Sequence, residues 1–202
     1  MQPRFIIRQQ LTALVNKYTI STANQNGEVD DALWYVQQKR LSIKEKVTFY
    51  SDEAHSVLAF TFRAEKVMDV HGRYFVEDAS GTGLGMFRKD FKASFAKSTW
   101  HIVDGDDTPR YTLCESNATL ALIRRYAGYI PFVGSIAEII SSFMKYHFDV
   151  IDVQTQETIG KYTKLTLFRD SYMLELDDTA YQAIDNRVWA ALAVALDALQ
   201  SR

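Results

Sequence analysis

A mainly β (α+β) protein, made of antiparallel hairpins in a meander and closing on an enclosed apolar helix, is the fold class the sequence predicts. Three observations carry that expectation: apolar and polar residues alternate over most of the chain, turn signals recur at short intervals, and the last helical stretch has no polar stripe.

The elements follow in order. Near the N-terminus, Phe5-Ile6-Ile7 is bracketed by Arg4 and Arg8, far too short a run for a signal-peptide core, so no export is expected. In SVLAFTFR, Leu58, Phe60 and Phe62 share one side while Val57, Ala59, Thr61 and Arg63 take the other. Trp100 and Ile102 alternate in the same way, as do Tyr172, Leu174 and Leu176 against Met173, Glu175 and Asp177. Asn26-Gly27, Ser51-Asp52, Ser80-Gly81 and Asp104-Gly105 are the turn signals between such runs. Helical spacing interrupts the strands once. Ser116 or Asn117 caps ATLALIRRY, Gly128 to Pro131 breaks it, and Ile136, Ile139, Ile140 and Phe143 form the apolar face of a second short helix.

At the C-terminus, Thr179 and Gln182 have capping-box spacing and predict a helix of about 20 residues. Its middle, Val188 to Leu196, is apolar or small throughout, so it requires apolar surroundings on every side. A bilayer span needs roughly 20 such residues. This run is shorter, and Asp185, Arg187 and Asp197 flank it, so the expectation is enclosure by the protein itself and no transmembrane segment.

Composition agrees. With 202 residues, 47% of them hydrophobic and 24% charged, the chain reads as one domain over residues 1–202, which excludes disorder, collagen and coiled coil. Lys and Arg number 23 against 25 Asp and Glu, a net charge of -2 that lacks the pervasive positive field of a nucleic-acid binder. The single Cys114 excludes an internal disulfide and suits a reducing cytoplasm.

A weak repeat runs through the hairpins. YFVEDASGTGLGMFRK at 74 to 89 and FDVIDVQTQETIGKYTK at 148 to 164 share an acidic end (Asp78, Asp152), a polar turn, Leu84-Gly85 or Ile159-Gly160, an aromatic residue and lysine. The segments ending at Lys39-Arg40 and at Arg63 follow the same grammar more loosely, so each returning strand ends in basic residues.

The order of these motifs carries a resemblance. Ile7-Arg8-Gln9-Gln10, Tyr18-Thr19-Ile20, QQKR at 37 to 40, EDASGTGLGMFRKDF at 77 to 91, FDVID at 148 to 152 and the final helix together resemble the LURP-one-related and phospholipid-scramblase-like families. The resemblance implies the Tubby C-terminal-like fold, a closed barrel of about 12 antiparallel strands with the C-terminal helix threaded through its middle. The acidic DGDDTPRY stretch and the GYIPFVGSIAEIISSFM segment depart from it and are read as features of a bacterial subgroup.

Candidate chemistry is sparse. GTGLG at 81 to 85 lacks the Lys-Ser/Thr and the helix of a phosphate loop and reads as a hairpin turn. His55, His71, His101 and His147 have no metal-ligand spacing, and Asp104, Asp106 and Asp107 lack the later bidentate Glu of a calcium loop. Cys114 has no histidine near it in sequence. No catalytic residue, metal or cofactor is therefore expected. The recurrent polar feature is basic. If the hairpins are equivalent around a barrel, Lys39, Arg40, Arg63, Arg88, Lys89, Lys161 and Lys164 fall near one rim and could hold a phosphorylated headgroup. The resemblance to Tubby domains implies anionic phospholipid as the ligand class. The reading is a non-enzymatic cytoplasmic protein, peripheral at the inner membrane face. Its alternative is a protein-interaction scaffold docking through Ile136, Ile139, Ile140 and Phe143.

Overall fold

Alternating side chains oblige a strand to bury one face, and a meander of such strands can hide every inward face by closing on itself. The computed structural model describes residues 3–11, 15–24, 28–39, 46–65, 72–95, 97–116, 147–166 and 170–199, and in it twelve strands form one closed antiparallel barrel. They are β1 (Arg4–Leu11), β2 (Val15–Ala23), β3 (Val29–Lys39), β4 (Lys46–Tyr50), β5 (Leu58–Ala64), β6 (Arg73–Asp78), β7 (Gly83–Lys89), β8 (Thr99–Val103), β9 (Pro109–Glu115), β10 (His147–Asp152), β11 (Thr158–Lys164) and β12 (Ser171–Leu176). Each pairs with its neighbours in sequence. Closure comes from β1 against β12, with Arg4 opposite Glu175 and Arg8 opposite Ser171.

An up-and-down order sorts the connections into two sets. The β2–β3, β4–β5, β6–β7, β8–β9 and β10–β11 turns share one rim with the end of β12; the remaining connections share the other. From β12 the chain passes through α1 (Asp178–Ala183) into α2 (Asn186–Ala198), which lies inside the barrel. The first is therefore the entry rim and the second the exit rim.

The C-terminal helix is thus two helices, where one of about 20 residues was expected. Asp177, not Thr179, caps α1 by accepting from the Ala180 N–H at 2.6 Å. The backbone at Ile184 is extended, and the Asp185 carboxylate restarts the helix by accepting from the Arg187 N–H at 2.9 Å. The break turns the chain from the floor of the barrel into its axis. Trp189 Nε1 donates to the Ala180 carbonyl across it at 3.3 Å.

Every residue from Val188 to Leu196 is buried, at 2% exposure or less. The barrel wall supplies the bulk: Tyr18, Phe49, Phe60, Phe62, Phe87, Trp100, Phe148 and Tyr162 all turn inward. The helix supplies narrowness, with Ala190, Ala191, Ala193 and Ala195 among its core residues. Large wall and small helix fill the lumen at the close packing interiors require. Each buried Val, Leu or Trp on α2 contributes about 1.5–3 kcal/mol of transfer free energy.

The repeat has a structural meaning. Asp78 and Asp152 both end an even strand and cap the following turn. Asp78 accepts from the Ser80 and Thr82 N–H groups, and Asp152 from those of Gln154 and Thr155. Both hairpins then shift register, between Val76 and Glu77 and between Val150 and Ile151, and place Gly85 opposite Val76 and Gly160 opposite Val150. GTGLG is the β6–β7 turn and the start of β7. The Asn26-Gly27 turn, both helices expected between 117 and 144, and Ile136, Ile139, Ile140 and Phe143 lie outside the described residues.

Two outcomes test this packing. Leu192→Asp places an unpaired charge in the lumen and should abolish soluble folding, whereas a soluble Leu192→Asp protein with a cooperative melt would contradict the threaded helix. A Cβ on Gly85 would meet Val188 Cγ2 at 2.9 Å. Gly85→Ala should cost about 1–3 kcal/mol in the wild type and clearly less in a Val188→Ala background, measured as a double-mutant cycle by denaturant melts.

Candidate functional site

The predicted cations do not form one uniform ring. Alternation turns Arg63, Arg88 and Lys161 outward and Lys89 and Lys164 inward. Arg63 grips Glu77 with two nitrogens, at 2.6 and 3.1 Å. Arg88 runs along the outer wall to Asp107, 3.4 Å away in the β8–β9 turn. Lys89 lies over the Trp100 ring, 5.5 Å from its centroid, at the exit mouth. Lys164 pairs with Asp170 and sits over the Tyr172 ring at that same mouth. Lys161 is exposed in mid-strand. The Lys39 side chain and Arg40 lie outside the described residues.

What the barrel does bring together is an excess of opposite sign at each rim, with Arg4 and Arg110 at the starts of β1 and β9 as cations on the otherwise acidic one. The described turns of the entry rim carry Glu28, Asp52, Glu53, Asp78, Asp104, Asp106, Asp107 and Glu157, with no Lys or Arg among them. Asp177, Asp178 and Asp185 add to this on the path into the lumen, where Arg187 pairs with Asp185 at 2.7 Å. Among its described residues the exit rim has more cations than acids, the acids being Glu65, Asp90, Glu115 and Asp170. Beside Arg63, Arg88, Lys89 and Lys164 it gathers Arg8, Lys17, Lys46, Lys92 and Lys97. Arg8, Lys46 and Lys92 are exposed, and none has an ion-pair partner among the described residues. These five were missed in the sequence because the repeat marks only the ends of odd strands. An antiparallel barrel joins those ends to the beginnings of even strands, so Lys17 and Lys46 at the starts of β2 and β4 reach the same rim.

Inside the exit mouth the lumen turns polar. Asp197, in the last turn of α2, accepts from the Tyr18 hydroxyl at 2.9 Å and from the Tyr172 hydroxyl. Gln9 donates to Tyr18 in turn, at 3.1 Å. The three groups tie the helix to β1, β2 and β12. Burial holds the Asp197 carboxyl above the usual carboxylate range, against the opposing pull of its two tyrosine donors. Burial, reinforced by Asp197, pushes both tyrosines far up, so they stay protonated and donate.

The remaining candidates hold structural posts. His101 bonds Thr112 Oγ1 at 2.9 Å and the Asp90 carboxylate at 3.3 Å, and burial lowers its pKa despite that carboxylate. His147 contacts Thr163, His55 lies against Tyr50, and His71 is outside the described residues. Asp106 accepts from the Thr108 N–H at 3.2 Å. Cys114 is half-buried, and burial raises its pKa. No group of three His, Cys, Asp or Glu side chains suited to a metal occurs among the described residues. A groove of about 320 Å³ between β11 and β12 is lined by Lys161, Glu175 and Asp177 beside Thr158 to Gly160 and Leu176; its two carboxylates do not suit an anion.

An antiparallel barrel filled by its own C-terminal helix, with its charges divided between two rims, defines the class. Residues 33–197 match the family described as LURP-one-related, and the chain belongs to that family. No curated protein matches it. β1 and β2 precede the matched stretch and yet close the barrel.

The Asp197 environment sets a pH dependence. A carboxyl whose folded pKa lies above its unfolded value favours the fold most below the unfolded value and loses that contribution as pH rises through the folded one. The stability of the wild type relative to Asp197→Asn should therefore be greatest in acid and shrink toward neutral pH, read as melting temperature against pH. A difference that grows with pH would show that the carboxylate is the favoured form.

Proposed function

We propose that the domain is a non-enzymatic binder of anionic phospholipid headgroups, peripheral at the cytoplasmic face of a membrane, with its exit rim as the contact. The observation that carries this reading is the division of charge between the rims. A domain of net charge -2 has no general attraction to an anionic surface, so binding depends on orientation. Turned exit rim first, it offers Arg8, Lys17, Lys46, Lys92 and Lys97 to the headgroups and holds its acidic turns away. Each cation near an anionic leaflet contributes about 1 kcal/mol. Several must act together, because the attraction decays within a Debye length of about 8 Å at physiological salt.

The family resemblance names scramblases, yet this barrel is not proposed to carry lipid alone. Its lumen is occupied from Val188 to Leu196 by side chains at 2% exposure or less, which leaves no path for a headgroup. No described helix is long and apolar enough to cross a membrane.

Co-sedimentation with vesicles tests the proposal. The wild type should sediment with phosphatidylserine-containing vesicles and not with pure phosphatidylcholine, more completely at low salt than at physiological salt. Lys46→Glu/Lys92→Glu/Lys97→Glu should abolish sedimentation while keeping the wild-type melt, since none of the three is a core residue. Absence of binding to either vesicle, or binding that the triple variant leaves intact, would overturn the reading.

A further inference from the structure

β3 is longer than the strand beside it. On its β2 side it is paired down to Val29, whereas on its β4 side pairing stops at Tyr35 opposite Tyr50. Beyond Tyr50 the chain leaves the sheet. The Ser51 N–H turns back to the Val57 carbonyl at 3.0 Å, and the Asp52 carboxylate accepts from the Ser56 and Val57 N–H groups at 3.0 and 2.7 Å. Residues 29–34 therefore present a backbone edge with no partner on that side among the described residues. At about 3.3 Å per residue this edge is about 20 Å long.

We infer that this edge of β3 is a docking site for an extended basic segment of a partner protein, which would add to the sheet as a strand. Free backbone groups supply a template that only an extended chain can match. Apolar ground is at hand, with Leu33 at 38% exposure on β3 and, beyond the last β3–β4 pair, Leu58 opposite Tyr50 at 39% and Val57 before it at 55%, so alternate partner side chains have something to cover. Charge selects the partner. Asp30 and Asp31 lie on the edge itself, Glu28 just before it and Glu53 in the turn that follows β4, and all are exposed. Two copies of this chain joined edge to edge would set these carboxylates against each other, and like charges across a strand pair are destabilising. A segment alternating Lys or Arg with Val or Ile meets both requirements. The site lies at the entry rim and does not depend on the membrane proposal.

The test uses the whole chain without vesicles and, as probe, a fluorescein-labelled seven-residue peptide alternating lysine and valine, read by anisotropy. A second peptide has the same sequence with every backbone amide N-methylated, which keeps charge and removes the donors a strand needs. The unmethylated peptide should bind, and the methylated one should bind at least about tenfold more weakly. Asp31→Lys should weaken binding about tenfold, while Glu157→Lys, with the same change of charge on another turn of that rim, should leave it unchanged. Equal binding of the two peptides, equal loss in both variants, or no binding at millimolar peptide would each overturn the inference.

Discussion

Burial of a helix without a polar face is the constraint on which the structure depends. α2 cannot face water on any side, so the wall must surround it completely, and only a closed sheet does so without leaving strand edges at its seam. Twelve strands enclose more space than their own side chains fill, and the helix occupies the excess. The partition of size follows, with aromatic residues on the wall and alanines on the helix. Gly85 marks where the fit is closest, since Val188 occupies the space its Cβ would need.

The same helix imposes a direction on the charges. Its N-terminal pole, positive, lies at the entry rim beside Asp185, and its C-terminal pole, negative, lies at the exit mouth near Lys164. Acidic entry and basic exit thus complement the axial dipole. That effect is worth about 0.3–1 kcal/mol and fades within one turn of the helix end. It accounts for Asp185 and Lys164. It does not reach Lys46, Lys92 or Lys97 on the outside of the exit rim, and these are the cations left for an external anion. Asp197 runs against the dipole, a carboxyl in the last turn, and is tolerated because two buried tyrosine hydroxyls donate to it and burial favours its neutral form.

Much of the fold was legible because the alternation was clean. Phe60 with Phe62, Trp100 with Ile102, and Tyr172 with Leu174 and Leu176 all face the lumen, and the unbroken apolar run from Val188 fills it; Leu58, expected beside Phe60 and Phe62, is 39% exposed because the β4–β5 register shifts before it. Closure and strand number came from the family resemblance, since period two alone does not distinguish a barrel from an open sheet. The break at Ile184 escaped because Thr179 and Gln182 offered a plausible cap two residues beyond Asp177, the one that is used. The site was legible only in part. Sequence position indicated which rim Arg63, Arg88, Lys89 and Lys164 approach, but not that Glu77, Asp107 and Asp170 engage three of them, because those partners come from other strands and turns. The open edge of β3 left no mark in the sequence, as it results from the unequal reach of two neighbouring strands.

A packed lumen also limits how the two ends can communicate. Interiors at this density have few alternative arrangements, so among the described residues the filled lumen gives a contact at the exit rim no route to the edge of β3. Through the described lumen, then, the two proposed contacts are linked only by position. If the exit rim holds the domain on a membrane as proposed, the entry rim faces away from it, and a partner segment that is itself confined near that membrane meets it at raised effective concentration. Affinity at the edge of β3 can be weak in solution and still sufficient there, which fits a site of only six backbone residues flanked by half-exposed apolar side chains.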